Sequence, residues 1–215
     1  MKYNLDFSFA WSRDQHLMAA CKGKSVLHIG ACDSPYTERK LKEGLLLHTK
    51  LASVTDSLLG IDIDEASINY LSSQGITDVR LFDMNKMGEL DFTPDIIILG
   101  EAIEHFVNFA SVFENIKRIM QPHTRLFIST PNAYFINNFK NSLFGYESNH
   151  PEHTTAFTPR TLEYMLNVNG LTVDQRVATF LDRKKERWGR RMKKHSLSKF
   201  PFLCETLLYS CQRSA

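Results

Sequence analysis

Cysteine is scarce in this 215-residue sequence: Cys21, Cys32, Cys204 and Cys211 are its whole complement, and none stand as a C-x-x-C pair. That rules against a disulfide scaffold for a chain of this length and against a cysteine-built metal centre. Long apolar runs are missing too. The most continuous, Ile96 to Leu99, is far too short to cross a bilayer. The N-terminus lacks the basic, apolar, small-residue order of a secretion signal, so a cytoplasmic location is expected. No internal repeat, low-complexity tract or interdomain linker interrupts the chain. With 43% hydrophobic and 23% charged residues, it reads as one globular domain over 1–215 with a substantial core.

The formal charge of +2 is unevenly spread. Between Asp182 and His195, eight lysines and arginines stand against two acids, which leaves the rest of the chain net acidic. A solvated face explains such a run as readily as contact with a phosphorylated acceptor, an anionic membrane surface or nucleic acid. This basic segment is taken as 182–200.

Apolar runs alternate with helical stretches from Ser25 onward. Strands are expected at Ser25 to Ile29, Ser57 to Ile61, Asp78 to Phe82, Asp95 to Leu99 and Arg125 to Ser129. Crossover helices fit Glu65 to Ser73 and Phe109 to Met120, the latter stopping before Pro122. Right-handed crossovers then give a doubly wound, mostly parallel α/β sheet with helices on both faces. After Thr130, Pro131 and Asn132 the rhythm breaks, and Pro159 opens another helix that ends near Gly170. The excursion, 131–158, is a candidate lid. Two further strands are expected at Leu171 to Thr179 and Cys204 to Gln212, as an antiparallel edge pair. A helical segment is expected within 1–22, around Phe9 to Ala20.

Ligands of open α/β sheets bind beyond the carboxyl ends of the strands. The first strand turns there at Gly30, where a small residue lets backbone approach a ligand. The second ends at Asp62, Ile63 and Asp64; a carboxylate here accepts bonds from ribose hydroxyls, although Asp64 reads as a cap for the next helix. The third ends at Asp83, an acceptor for an adenine amino group or a solvated loop residue. Past the fourth come Glu101, Ala102, Ile103, Glu104 and His105. On a helical turn, i, i+3 and i+4 share a face, so two carboxylates and an imidazole are expected to converge, a mixture that suits Mg²⁺, Mn²⁺ or Zn²⁺. The lid offers His150 and His153 nearby, and His153 completes a candidate four-ligand set with Glu101, Glu104 and His105.

The ordered set V-L-H-I-G-A-C, G-I-D-I-D, F-D-M-N, E-A-I-E-H and the strand into S-T-P-N resembles class I S-adenosylmethionine-dependent methyltransferases over roughly Gly23 to Gly170. The resemblance implies a Rossmann-like sheet of seven strands with an antiparallel edge strand. It also implies S-adenosylmethionine held by His28, Gly30, Ala31, Asp62, Ile63, Asp83, Met84 and Glu101. Two departures stand out: His28 replaces the usual acid, and Cys32 and Ser34 replace the later glycines of G-x-G-x-G. The E-x-x-E-H turn resembles coenzyme Q O-methyltransferases and small-RNA 3′-terminal 2′-O-methyltransferases, both linked to a divalent metal; T-P-N and E-H-x-x-x-F-T extend the RNA likeness. The H-I-G-A-C-D-S-P-Y-T loop and N-H-P-E-H resemble bacterial methyltransferases of surface-polysaccharide and natural-product clusters, which favours a glycan or small-molecule acceptor.

An alcohol acceptor must lose a proton. His105, with Glu104, is the expected general base, or a metal on Glu101, Glu104, His105 and His153 lowers the acceptor's pKa instead. Two alternatives are metal-dependent methylation of an RNA 3′-terminal 2′-hydroxyl and a non-catalytic nucleotide-binding protein of the same fold. A nicotinamide dehydrogenase fits poorly: G-x-G-x-x-G is absent and Asp62 lies 32 residues past Gly30, against about 20 in that motif.

Overall fold

The apolar runs assemble as one sheet. The computed structural model describes residues 5–185 and 188–214. Its strands are β1 Ser8–Phe9, β2 Ser25–Ile29, β3 Ser57–Asp62, β4 Val79–Leu81, β5 Ile96–Gly100, β6 Arg125–Pro131, β7 Leu171–Thr179 and β8 Thr206–Arg213. Their order is β1-β7-β8-β6-β5-β2-β3-β4. All neighbours run parallel except β8, which is antiparallel to both β6 and β7. The result is a Rossmann-like α/β sheet with one more strand than expected. The extra strand, β1, comes from the segment read as helical and covers the outer backbone edge of β7. The antiparallel strand expected at the edge lies further in, between β6 and β7.

Helices α1 Arg13–Cys21, α2 Thr37–Lys42, α3 Leu47–Ala52, α4 Glu65–Ser73, α5 Phe109–Ile119, α6 Ile136–Leu143, α7 Pro159–Val168 and α8 Trp188–Leu197 join them, with 3-10 turns at Met84–Glu89, Ile103–His105 and Pro201–Leu203. The alternation of β5 shows how they are placed. Ile97 and Leu99 face a core built with Val112, Phe113 and Ile116 of α5 and Leu162 and Leu166 of α7. Ile96 and Ile98 face the opposite core, with Leu17 and Cys21 of α1 and Leu47 and Leu51 of α3. A strand buried on both faces needs no polar positions, which is why this one reads as a continuous aliphatic run. Burying a side chain such as Phe113 stabilises the fold by about 1.5–3 kcal/mol.

The cap read from the sequence at Asp64 holds, and α7 has one of its own. Asp64 accepts from Ser67 N–H at the start of α4. Thr158 and Thr161 cap α7 reciprocally, with Pro159 in its first turn. Among the described residues, no helix is long and apolar enough to cross a membrane.

Candidate active site

Parallel strands bring their carboxyl ends to one edge, so Gly30, Asp62, Glu101 and Pro131 meet there. Because β8 is antiparallel, its start comes to the same edge: Thr206 pairs with both Pro131 and Thr179. The β7–β8 connection, which carries the basic segment, therefore passes beside the mouth. Arg13 arrives from the far edge, its N–H donating to Phe180 O at 3.0 Å.

On the β2–β3 side, Gly30 has φ +74°, a conformation that L side chains rarely adopt. Its N–H and that of Ala31 donate to Ile61 O at 2.9 and 3.3 Å, which ties the turn to β3. Asp62 fixes the same turn: Oδ2 accepts from Cys32 N–H at 2.9 Å, while Oδ1 accepts from Ile63 and Asp64 N–H at 2.8 and 3.1 Å. Ile63, 77% exposed, then forms an apolar shelf at the rim. Asp83 is exposed and caps its own 3-10 turn through Asn85, while the neighbouring Met84 packs against the core.

His28 corrects the expectation of a ligand-facing residue. It is buried, stacks on His48, and places its Nδ1 3.3 Å from His48 Nδ1. Burial, with His48 and Arg13 beside it, holds its pKa well below the ordinary histidine range. Its imidazole is packed in the core against His48.

Glu101 is also placed differently from expectation. It adopts φ +52°, so it does not continue a helical turn with Glu104 and His105; only Ile103–His105 form a 3-10 turn. Its carboxylate instead faces Arg13. That buried guanidinium donates through Nε and Nη2 to Asp14 Oδ1 at 2.9 and 2.8 Å, which leaves Nη1 3.8 Å from Glu101 Oε1. Glu101 Oε1 is buried and has no hydrogen-bond partner among the described residues. Burial raises the Glu101 pKa to about 7, against the pull of Arg13 and Ser129. Nothing in the sequence around Arg13 signalled its place here.

Across the mouth, Glu104 is 1% exposed. Thr130 Oγ1 donates to its Oε2 at 2.9 Å, and its Oε1 lies 3.8 Å from His153 Nε2. Burial, then the Glu101 charge, raises its pKa to about 8, which favours the protonated carboxyl. Asn149 Oδ1, which already accepts from His150 N–H at 3.0 Å, lies 2.7 Å from His153 Nδ1. Nδ1 therefore carries the proton, and the Nε2 lone pair is turned toward Glu104. Burial, with His105 and His150 adding to it, lowers the His153 pKa to about 4. Thr154 fastens this loop to the Glu104 turn through Glu104 O and Phe106 O.

Glu104, Asn149 and His153 line a cavity of about 250 Å³. A neighbouring cavity of about 540 Å³ shares Pro131, Asn132, Asn138, Ser148 and Asn149 with it and reaches Tyr36 and Glu101 on the β2 side. His105 lines neither cavity; it is exposed and packs edge-on against His153 at 4.7 Å. The four-ligand set expected of Glu101, Glu104, His105 and His153 is thus not assembled, because backbone turns Glu101 away. Among the described residues, the close group is His105, His150 and His153, whose ligand atoms lie within 4.8 Å of one another.

The sheet order and the polar mouth define a methyltransferase-like α/β protein, and the comparisons agree. A family model described as a methyltransferase domain matches residues 22–176, and the chain belongs to that family. Solved structures share the fold at low identity. A SAM-dependent methyltransferase from Archaeoglobus fulgidus is 16% identical, with a TM-score of 0.54 over 93% of this chain and 94% of that one. A Haloferax volcanii methyltransferase complex with the activator Trm112 gives 18% and 0.59 over 94% and 88%. Magnesium protoporphyrin IX methyltransferase from Synechocystis PCC 6803, with bound SAH, gives 13% and 0.57 over 94% and 82%. No curated protein sequence matches the chain.

Proposed function

We propose that this protein is an S-adenosylmethionine-dependent O-methyltransferase acting on a hydroxyl of a sugar or other small molecule. The observation that carries the reading is His153, which lines a cavity whose neighbour runs to Glu101 and holds Nδ1 2.7 Å from Asn149 Oδ1.

The residues present fit the donor. Glu101 Oε1 is a buried acceptor in need of a donor, and Arg13 stands opposite it at 3.8 Å. An acid and a guanidinium at that spacing suit the ammonium and carboxylate of a methionine moiety. Asp62 has lone-pair capacity beyond its three backbone donors for ribose hydroxyls, and Ile63 offers an apolar face for adenine. Gly30 keeps the turn free of a side chain; a Cβ there would sit 3.5 Å from Ala102 Cβ.

Bound there, S-adenosylmethionine supplies an electrophilic methyl carbon on a sulfonium. His153 Nε2 holds the proton released by the acceptor hydroxyl, and the Asn149 contact keeps the ring in the tautomer that receives it. Glu104, neutral before reaction, presents Oε1 to the imidazolium that forms. The excursion 131–158 acts as the lid that excludes water from this step. The role expected of His105 passes to His153, with His105 packed behind it.

A second reading, a divalent ion on His105, His150 and His153, is favoured by their 4.8 Å clustering and by the three-imidazole chemistry. Calorimetric titration with S-adenosylmethionine, before and after EDTA dialysis, tests both readings, followed by labelled methyl transfer to a panel of sugars. Micromolar binding and transfer that survive EDTA support the general-base reading. Transfer lost with the metal and restored by Zn²⁺ or Mn²⁺ supports the second. Absence of binding under either condition overturns the donor assignment.

A further inference from the structure

The basic segment and the acceptor mouth are continuous. The turn after β7 and one face of α8 close a cavity of about 470 Å³ against Phe135, Asn137 and Phe180. Its lining carries Arg183, Lys185, Arg190, Lys193 and Lys194 and, among the described residues, no carboxylate. Phe135, Asn137 and Arg183 also line the 540 Å³ cavity that reaches Glu101. One wall thus separates a cationic chamber from the reaction site.

The cations are built in. Arg190, Lys193 and Lys194 stand at i, i+3 and i+4 of α8 and so share one face. Lys193 Nζ bonds Asn137 Oδ1 and lies 4.9 Å from the Phe135 ring centroid, while Lys194 Nζ lies 5.3 Å from that of Phe180. Glu205 bridges Arg183 and Arg190 at 3.0 and 2.7 Å, one carboxylate against five cations among the described residues. Burial lowers the Lys193 pKa; Glu205 opposes this, and Lys140 and Arg190 add to it. Such crowding costs stability unless an anion enters. The arrangement is a chamber with aromatic walls, unlike the open strip of interleaved aromatics that tracks single-stranded nucleic acid.

On the methyltransferase reading given above, we propose that the acceptor carries a phosphate or diphosphate group, seated in this chamber by Arg183, Lys185 and Lys193, while its hydroxyl lies beside His153. The chemistry is shared by nucleotide-linked, lipid-linked and free sugar phosphates, and the probes separate these sources.

The test is calorimetry of the full chain with inorganic pyrophosphate and with uridine diphosphate, paired with flotation on phosphatidylglycerol vesicles. The variants are Lys193→Gln and Arg183→Gln, and each is also titrated with S-adenosylmethionine. Pyrophosphate and uridine diphosphate are expected to bind one site, more weakly as salt is raised. Each variant is expected to lose about tenfold in affinity, and Lys193→Gln, outside the cavity that reaches Glu101, to keep donor binding unchanged. Binding of uridine diphosphate tighter than pyrophosphate points to a nucleotide-linked acceptor. Vesicle capture that pyrophosphate displaces points to a lipid-linked one. The proposal is overturned if neither anion binds, if both variants bind as the wild type does, or if vesicles are captured and pyrophosphate fails to compete. Anion binding does not require the donor. Loss of donor binding alone therefore sinks the methyltransferase reading, and loss of anion binding alone sinks this one.

Discussion

Replacing Glu104 by glutamine keeps the shape of the side chain and the acceptor for Thr130 Oγ1 but removes the titration. In the folded protein this carboxyl holds its proton up to about pH 8, whereas the unfolded chain releases it near 4.5. Between those values the folded state binds more protons, so stability falls as the pH rises from about 4.5 through about 8 and levels off above. At about 1.4 kcal/mol per pKa unit, the loss is on the order of 3–5 kcal/mol, part of it due to Glu101. For a chain of this size, that is a difference of roughly 10 °C in Tm. Thermal unfolding of both proteins from pH 5 to 9 measures it. Glu104→Gln is expected to resemble the wild type near pH 5 and to be more stable by about that amount at pH 9. Parallel Tm curves for the two proteins would falsify the burial argument.

Further outcomes follow from the same geometry. His153→Gln is expected to lower kcat by about a hundredfold or more, and His105→Gln by less than about tenfold; equal losses in a methyl-transfer assay would return the base to His105. Gly30→Ala forces a side chain into the left-handed region and is expected to cost about 1–2 kcal/mol in urea unfolding and to weaken donor binding, and an unchanged midpoint would refute this. Arg13→Gln is expected to raise the Kd for S-adenosylmethionine about tenfold without unfolding the protein, since Lys50 still meets Asp14 at 2.6 Å; calorimetry with an unchanged Kd would remove Arg13 from the donor site.

The sheet was legible because its strands declare themselves: β2 and β7 fall where the sequence places them, and the aliphatic run of β5 can only be a strand covered on both faces. The six-residue helices α2 and α3 and the two-residue β1 are too short to carry a period, so tertiary contacts alone determine them. In the site, Glu104 and His153 could be found from E-x-x-E-H and N-H-P-E-H. The convergence of Glu101 with Glu104 and His105 does not follow because i, i+3, i+4 logic assumes helical backbone, and the positive φ of Glu101 breaks that spacing. His28 could not be told from a ligand without its partner His48, and Arg13 gave no local signal at all, since its meaning comes from what lies across the sheet edge.

The pairing of β1 with β7 joins residues about 170 positions apart in the chain. On the ribosome, the segment carrying Arg13 emerges well before β7, the strand it must pair with. The Arg13–Glu101 approach can form only after most of the sheet exists. With the donor site proposed above, donor affinity becomes a readout of complete assembly: a nascent chain stopped after β6 would have the glycine turn and Asp62 but lack the strand that anchors Arg13.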